Sequence, residues 1–374
     1  MEQSFYLEKL LKLKSNFSVK IISGVRGVGK TTLLKAFAEK LRAEGVSTAE
    51  IISIDCEADE RLRNFQAFYE FVATQTADLE KFFLLVDEID RVSECEKAIN
   101  ALFVGAPAEI YVTCSSELLA EKISALLPDN CDVLRIYPPS FAEYKTHFPS
   151  SEEVLQNYLH FGGLPATFGA NKNSWQRILR GAAYEMLFEL VEKNSLQRAD
   201  IFRLLIKTFA HNIGKSINLN QLAAQFGSTF STIKNYSSCA MGLFRKIPRF
   251  DAKAEKFLNG FEKFYCVDNG LLSVFATLNE NILIENAVCV ELWQRGYDVS
   301  SVKFGKMDIS FVGERDGKKV FVQIMTADYP SARKASRPLR ALPSDVEKIL
   351  ITKKPEKNLG DVKSITLQNF LSNL

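Results

Sequence analysis

A chain of 374 residues exceeds one ordinary domain and predicts two or three compact units. An apolar share of 47% and a charged share of 25% exclude a disordered or fibrous chain. With 47 basic residues against 45 acidic ones, the net charge of +2 offers no global attraction for nucleic acid or anionic membrane.

The opening, MEQSFYLEKLLKLKS, lacks the basic-then-apolar order of a signal peptide. Residues 1–16 instead predict an amphipathic helix, with Leu7, Leu10 and Leu11 at helical spacing. No apolar run approaches membrane-spanning length. The seven cysteines are scattered without a CxxC pair, and His147, His160 and His211 stand apart, so no zinc site is legible. A soluble, cytoplasmic protein without a membrane partner is expected.

A regular alternation follows. β-rich runs at residues 19–23, 51–54, 82–86, 110–113 and 133–137 are separated by helical patterns at 29–44, 61–76, 95–102 and 117–127. Short Ile/Val/Leu/Phe runs between helices predict strands buried on both faces of a parallel sheet. The first section is therefore expected to be a doubly wound α/β domain over residues 1–139. Residues 140–198 are helical in pattern, broken by Gly162-Gly163-Leu164-Pro165, and suit a lid or linker. Residues 199–260 hold three helical stretches with a polar turn, Gly227-Ser228-Thr229-Phe230, an order that suits a helix-turn-helix or winged-helix unit. Residues 261–374 mix a helix at 284–296 with strands near 299–304, 309–312, 320–324 and 348–351, a small α/β domain.

Between the first strand and first long helix of the alternation lies Gly24-Val25-Arg26-Gly27-Val28-Gly29-Lys30-Thr31, followed by Thr32. It satisfies every fixed position of a phosphate-binding loop in the required strand–loop–helix context. Gly24 and Gly29 let backbone N–H groups face phosphates, where side chains would intrude. Lys30 is placed to reach the terminal phosphates of ATP, and the Thr31 hydroxyl to ligate Mg²⁺. The apolar run Phe82-Phe83-Leu84-Leu85-Val86 then ends in Asp87-Glu88. Asp87 is expected to hold Mg²⁺ and Glu88 to orient or deprotonate the attacking water, which favours hydrolysis over binding alone. After the next strand, Ser116 or its neighbour Ser115 is the candidate γ-phosphate sensor. The other reading of this Ser pair is a cap on the following helix, and both stand.

These residues, read with IYPPSFAEY, YLHFGGLP, EKFYCVDNGLL and IENAVCVELWQRGYDV, resemble a large prokaryotic family of AAA+-type P-loop ATPases. Its members carry a C-terminal region of uncharacterised function with winged-helix and restriction-nuclease-like parts. The resemblance covers nearly the whole chain. It implies an AAA+-like core, a helical lid, a winged helix and a restriction-endonuclease-like α/β domain.

Two departures stand out. The family's Gly-Arg pair is replaced here by Asp129-Asn130, which removes a phosphate-sensing arginine and predicts slow turnover, with Arg26 and Arg135 as candidate substitutes. In the nuclease-like part, Asp308 fits the acidic position and Glu285 or Glu291 the helix acid. The Glu-x-Lys place, however, reads Gln323-Ile324-Met325. Gln offers Mg²⁺ one neutral oxygen and Met offers no charge, so a degenerate site is expected unless Lys303, Lys306 or Lys318 has taken over.

The winged-helix segment offers Ser231, Thr232, Lys234 and Asn235, then Arg245, Lys246 and Arg249, as contacts to DNA; packing against protein is the other reading. Three functions are compatible with these residues. The leading one is a slow Mg-ATPase that couples nucleotide state to C-terminal domains engaging an unidentified protein partner, as a monomer or an oligomer. The others are an ATP-dependent nucleic-acid-processing enzyme with a working nuclease, and a nucleotide-switched binding protein with negligible turnover.

Overall fold

The computed structural model describes residues 4–14, 16, 18–148, 153–326 and 329–372. The chain forms two compact units. The first comprises residues 1–136 with 188–195, and the second residues 137–187 with 196–374.

In chain order the first unit holds α1 (Ser4–Lys12), β1 (Val19–Ser23), α2 (Lys30–Ala43), β2 (Ile51–Asp55), α3 (Phe65–Thr76) and β3 (Phe82–Asp87). It continues with α4 (Cys95–Gly105), β4 (Ala108–Cys114), α5 (Glu117–Leu126) and β5 (Cys131–Arg135). All five strands are parallel, in the order β2-β3-β4-β1-β5. The expected strands and helices are present, with ends shifted by a few residues. Of the helix expected over 1–16, residues 1–3 and 15 lie outside the described residues.

Alternation sorts the strand residues between two faces. Val19, Ile21, Leu84, Val86, Ile110 and Val112 form one core with α3, α4 and α5. Tyr111 and Phe83 turn the other way, where Phe37 of α2 packs 4.5 Å from the Tyr111 ring. Helices therefore cover both faces, which is why these strands read as continuous apolar runs. One ion pair is enclosed in this sheet: Lys20 meets Glu109 at 3.3 Å, both nearly inaccessible. Burial pushes the Lys20 ammonium below its ordinary range, against the pull of Glu109.

The second unit holds α6 (Phe141–His147), α7 (Val154–Phe161), α8 (Trp175–Lys193), α9 (Ala199–His211), α10 (Leu219–Gln225) and α11 (Phe230–Cys239). The last turns of α8, from Phe188 on, belong to the first unit. Next come β6 (Phe244–Asp251), β7 (Lys256–Cys266), α12 (Asn269–Phe275), α13 (Glu280–Gln294), β8 (Asp298–Phe304), β9 (Met307–Arg315) and β10 (Lys318–Ile324). The chain ends with α14 (Ala332–Ala335), α15 (Arg337–Arg340), β11 (Glu347–Thr352), β12 (Lys363–Thr366) and α16 (Leu367–Ser372). Seven strands form one mixed sheet, β12-β11-β10-β9-β8-β6-β7.

This sheet differs from the sequence expectation in one respect. The boundary expected between residues 260 and 261 falls inside β7, which pairs with β6, and β6 in turn pairs with β8. Shared backbone hydrogen bonds make the hairpin part of the C-terminal sheet. The hairpin was not legible because its strands carry Lys, Arg, Asn and Gly rather than an apolar run.

The Gly162-Gly163 breaker and the Val267-Asp268-Asn269-Gly270 stretch meet in one buried polar knot. Asp268 accepts from the Gly163 and Leu271 backbone N–H groups at 2.8 and 2.9 Å. Asn269 donates to the carbonyls of Leu159 and Leu283, and Asn286 donates to the Asn269 side chain. Gly162 adopts φ 68, ψ −165, a conformation open in practice only to glycine.

Candidate functional site

The phosphate loop leaves the C-terminal end of β1, which lies between β4 and β5. Gly24 donates to the Cys114 carbonyl at 3.3 Å, and Ile136 donates to Ser23 at 2.7 Å. A β-carbon on Gly24 would lie 2.4 Å from the Ile136 carbonyl oxygen, so the chain passes here without room for a side chain. Gly27 and Gly29 take φ of 80 and 100, and α2 begins at Lys30. Val25 and Val28 are buried and pin the loop to the core, while Gly27 and Thr32 are exposed.

Lys30 is nearly inaccessible. Its Nζ donates to the Gly24 carbonyl at 3.0 Å and to Ser115 Oγ at 3.1 Å, and lies 3.3 Å from Glu88 Oε1. Asp87 ends β3, and Glu88 follows it in the left-handed conformation at φ 51. Burial pushes the Glu88 carboxyl up. The ammonium groups of Lys30 and Lys193, with hydrogen bonds from Lys30 and Ser115, outweigh that and hold it below the usual range.

Ser116 does not join this cluster, which corrects its expected catalytic placement. Its hydroxyl accepts from the Leu119 N–H at 3.2 Å and caps α5. Ser115, one residue earlier, points at Lys30 and Glu88 instead. Sequence reading missed Thr113. This buried hydroxyl donates to Asp87 Oδ1 at 2.5 Å and accepts from the Glu88 N–H at 2.9 Å, fixing both acids. A polar residue in an otherwise apolar strand was the available signal.

Thr31 and Asp87 come from different elements yet line one cavity of about 320 Å³, with Lys35, Arg42 and Asp55 at its walls. A hydroxyl and a carboxylate on one cavity beside a cationic loop fit the donor set for Mg²⁺. The two candidate arginines are engaged elsewhere. Arg26 bonds Glu189 and, at 3.3 Å, Glu57; Arg135 bonds Glu117. Arg91 also reaches Glu57 and Glu189, each at 2.9 Å.

The second constellation is looser. Gln323 on β10 is buried, accepts from the Ser310 N–H at 3.0 Å and donates to the Tyr329 hydroxyl at 3.0 Å. Met325 packs against an apolar cluster that includes Ala332 and Leu339. Asp308 is 71% exposed at its side chain and pairs with Arg249 at 2.5 Å. Glu285 accepts from the Tyr265 hydroxyl at 2.7 Å, and Glu291 is buried against Arg295 at 2.7 Å. Lys263, unmarked in the sequence, feels the charges of both Glu285 and Asp308. Burial nevertheless leaves its ammonium below the ordinary range. Among the described residues, no three His, Cys, Asp or Glu side chains gather to hold a metal ion.

On α11, Ser231, Lys234 and Asn235 are exposed, whereas Ile233 and Tyr236 are buried. The basic residues that follow are engaged. Arg245 lies over the Trp293 ring at 4.7 Å, Lys246 meets Glu262 at 3.5 Å, and Arg249 holds Asp308. Among the described residues no helix is long and apolar enough to cross a membrane.

Residues 16–145 match a family model described as an AAA domain, and residues 152–281 match one described as a domain of unknown function, DUF8612. An uncharacterized protein of Haemophilus influenzae is 26% identical over 370 residues, covering 93% of this chain and 92% of its own. AMPPCP-bound DnaA from Aquifex aeolicus is similar with a TM-score of 0.32 at 15% identity, covering 63% of this chain and 84% of its own. A DNA polymerase III gamma subunit-related protein from Thermotoga maritima gives 0.28 at 11% identity, covering 63% of this chain and 98% of its own. The segment bearing the phosphate loop, the β3 acids and the β4 tip is thus similar to an AAA domain.

Proposed function

We propose that the first unit binds ATP with Mg²⁺ through residues 24–32 and hydrolyses it slowly, and that the second unit uses the nucleotide state to engage a partner. The observation that carries this reading is the convergence of Lys30, Ser115 and Glu88 beside the cavity shared by Thr31 and Asp87. The loop N–H groups and Lys30 bind the phosphates. The Thr31 hydroxyl and the Asp87 carboxylate hold the metal, with Thr113 keeping Asp87 oriented. Mg²⁺, when bound, supplies positive charge that offsets the phosphate oxygens. Glu88 orients the attacking water and takes its proton.

Slow turnover is supported by the arginine that the resemblance implies and that is missing at Asp129-Asn130.

Coupling is supported by α8, one continuous helix whose residues are shared between the two units. A winged-helix reading of the second unit is supported by α9, α10 and α11 followed by the antiparallel β6–β7 pair. The engagement of Arg245, Lys246 and Arg249 within the unit favours a protein partner over DNA there. The nuclease alternative is not favoured, because Gln323 is consumed by Ser310 and Tyr329 and Met325 lies in an apolar cluster.

Titration with a fluorescent ATP analogue tests the central claim. Lys30→Ala is expected to lower affinity by about tenfold or more, the loss of a charge-assisted contact, in a chain whose circular dichroism still shows the fold. Equal affinity in both proteins would refute it.

A further inference from the structure

α8 runs for 19 residues, from Trp175 to Lys193, and its two sides differ in character. One side buries Trp175, Leu179, Ala183, Met186 and Leu187. The opposite side is a stripe of Arg177, Gly181, Tyr184, Phe188 and Glu192, three or four residues apart, so the helical period keeps them in line. All five are exposed, and Tyr184 and Phe188 leave 49% and 58% of their surface in solvent. Singly exposed apolar residues need no explanation, but two rings one turn apart form a patch. Gly181 beside them weakens a helix interior, yet a β-carbon there would meet nothing within 4 Å. No neighbour among the described residues asks for a glycine at this place.

We propose that this stripe is a self-complementary interface, on which α8 of one chain pairs antiparallel with α8 of a second copy. Three features commit it to that occupant. The first is the grading of charge. Arg177 and Arg180 lie near the start of the helix and Glu192 near its end, so a parallel copy sets like charges together and an antiparallel copy sets opposites together. The second is register. Arg177 and Glu192 are centred on the same point of the helix as Gly181 and Phe188, between residues 184 and 185. One two-fold axis through that point brings each Arg177 opposite the other copy's Glu192 and each Phe188 opposite the other copy's Gly181. The missing side chain there leaves room for the ring, and the two Tyr184 rings meet beside the axis. The third is availability, since Arg177 and Glu192 form no ion pair among the described residues. Glu189, on the flank of the same helix, holds Arg26 of the phosphate loop, so pairing steadies the helix that touches that loop. The inference does not rest on the nucleotide reading.

Sedimentation velocity of the full chain without nucleotide, from about 1 to about 100 µM, tests it. A contact built on one helix pair sits at the small end of specific interfaces, so the wild type should pass from monomer to dimer with a Kd of about 10 µM. Phe188→Arg should raise that constant about tenfold or more. Arg177→Glu should do the same, because the symmetry applies each change twice. Arg177→Glu/Glu192→Arg exchanges the charges of both pairs and should return the constant to within about threefold of wild type. Gly181→Leu fills space that is open in the single chain, so it should keep the circular dichroism of the fold and weaken the dimer about tenfold. A chain that stays monomeric throughout, a species larger than a dimer, or a dimer indifferent to these substitutions overturns the proposal. So does a charge-exchanged double variant that dissociates as readily as Arg177→Glu alone.

Discussion

Glu88 sits where the backbone makes a side chain costly to keep. Its backbone is left-handed at φ 51, which for a residue with a β-carbon costs roughly 1–2 kcal/mol. The Thr113 hydroxyl compensates by accepting the Glu88 N–H while donating to Asp87. The turn therefore points Asp87 and Glu88 to different partners, one toward the Thr31 cavity and the other toward Lys30 and Ser115. From this follows the expectation for Glu88→Gln. The amide keeps the shape and loses the base, so nucleotide affinity stays within about threefold, while phosphate release falls by about 100-fold or more. Single-turnover measurement of labelled phosphate checks it, and equal rates in both proteins would place the base elsewhere.

At the scale of elements, the polar knot that joins α7, α12 and α13 depends on a glycine in the connection after α7. Gly162 holds φ 68 and ψ −165, and a β-carbon there would lie 2.2 Å from the Asp268 carboxyl oxygens. Gly162→Ala must move Asp268 away from the Gly163 and Leu271 N–H groups or distort the backbone. Strain and two weakened buried hydrogen bonds predict destabilisation of about 3 kcal/mol. A urea titration followed by tryptophan fluorescence reads it, since Trp175 and Trp293 both belong to the second unit. A midpoint equal to wild type would show that the knot is not structural. The GGLP and VDNGLL stretches, conspicuous in sequence as motifs, act here as the two halves of one packing joint.

For the molecule as a whole, two buried acids in the second unit set a pH dependence. Burial pushes the Asp268 carboxyl up to about 6, against the backbone N–H groups of Gly163, Leu271 and Gly270. It pushes Glu291 up to about 7, against the Arg295 guanidinium. The ordinary values are 3.8 and 4.5, so the folded chain keeps protons that the unfolded chain releases. Folding takes up protons in this window. The stability these groups contribute is complete below about pH 4 and is lost as pH rises through about 6 and 7. Glu291→Gln cannot titrate, so the drop in unfolding free energy between pH 5 and 7.5 should shrink by on the order of 2 kcal/mol. Chemical denaturation at both pH values checks this, and an unchanged slope would mean that Glu291 is not buried as an acid.

By itself the sequence determined the first unit down to its strands, because buried parallel strands are contiguous apolar runs and the phosphate loop is a contiguous motif. The places of Lys30, Thr31, Asp87 and Glu88 just beyond β1 and at the end of β3 were legible for that reason: each is fixed by its distance along the chain from a strand end. Tertiary structure decided the rest. Ser115 rather than Ser116 faces Lys30, since one residue of phase at a helix start exchanges a cap for a site. Thr113 holds the acids, and Lys193 reaches Glu88 from another element. The polar hairpin β6–β7 joins a seven-stranded sheet through pairings such as Arg249 with Ser301. Periodicity reports which face of an element is buried, but not which other element covers it. The partners of a buried charge depend on that second fact alone.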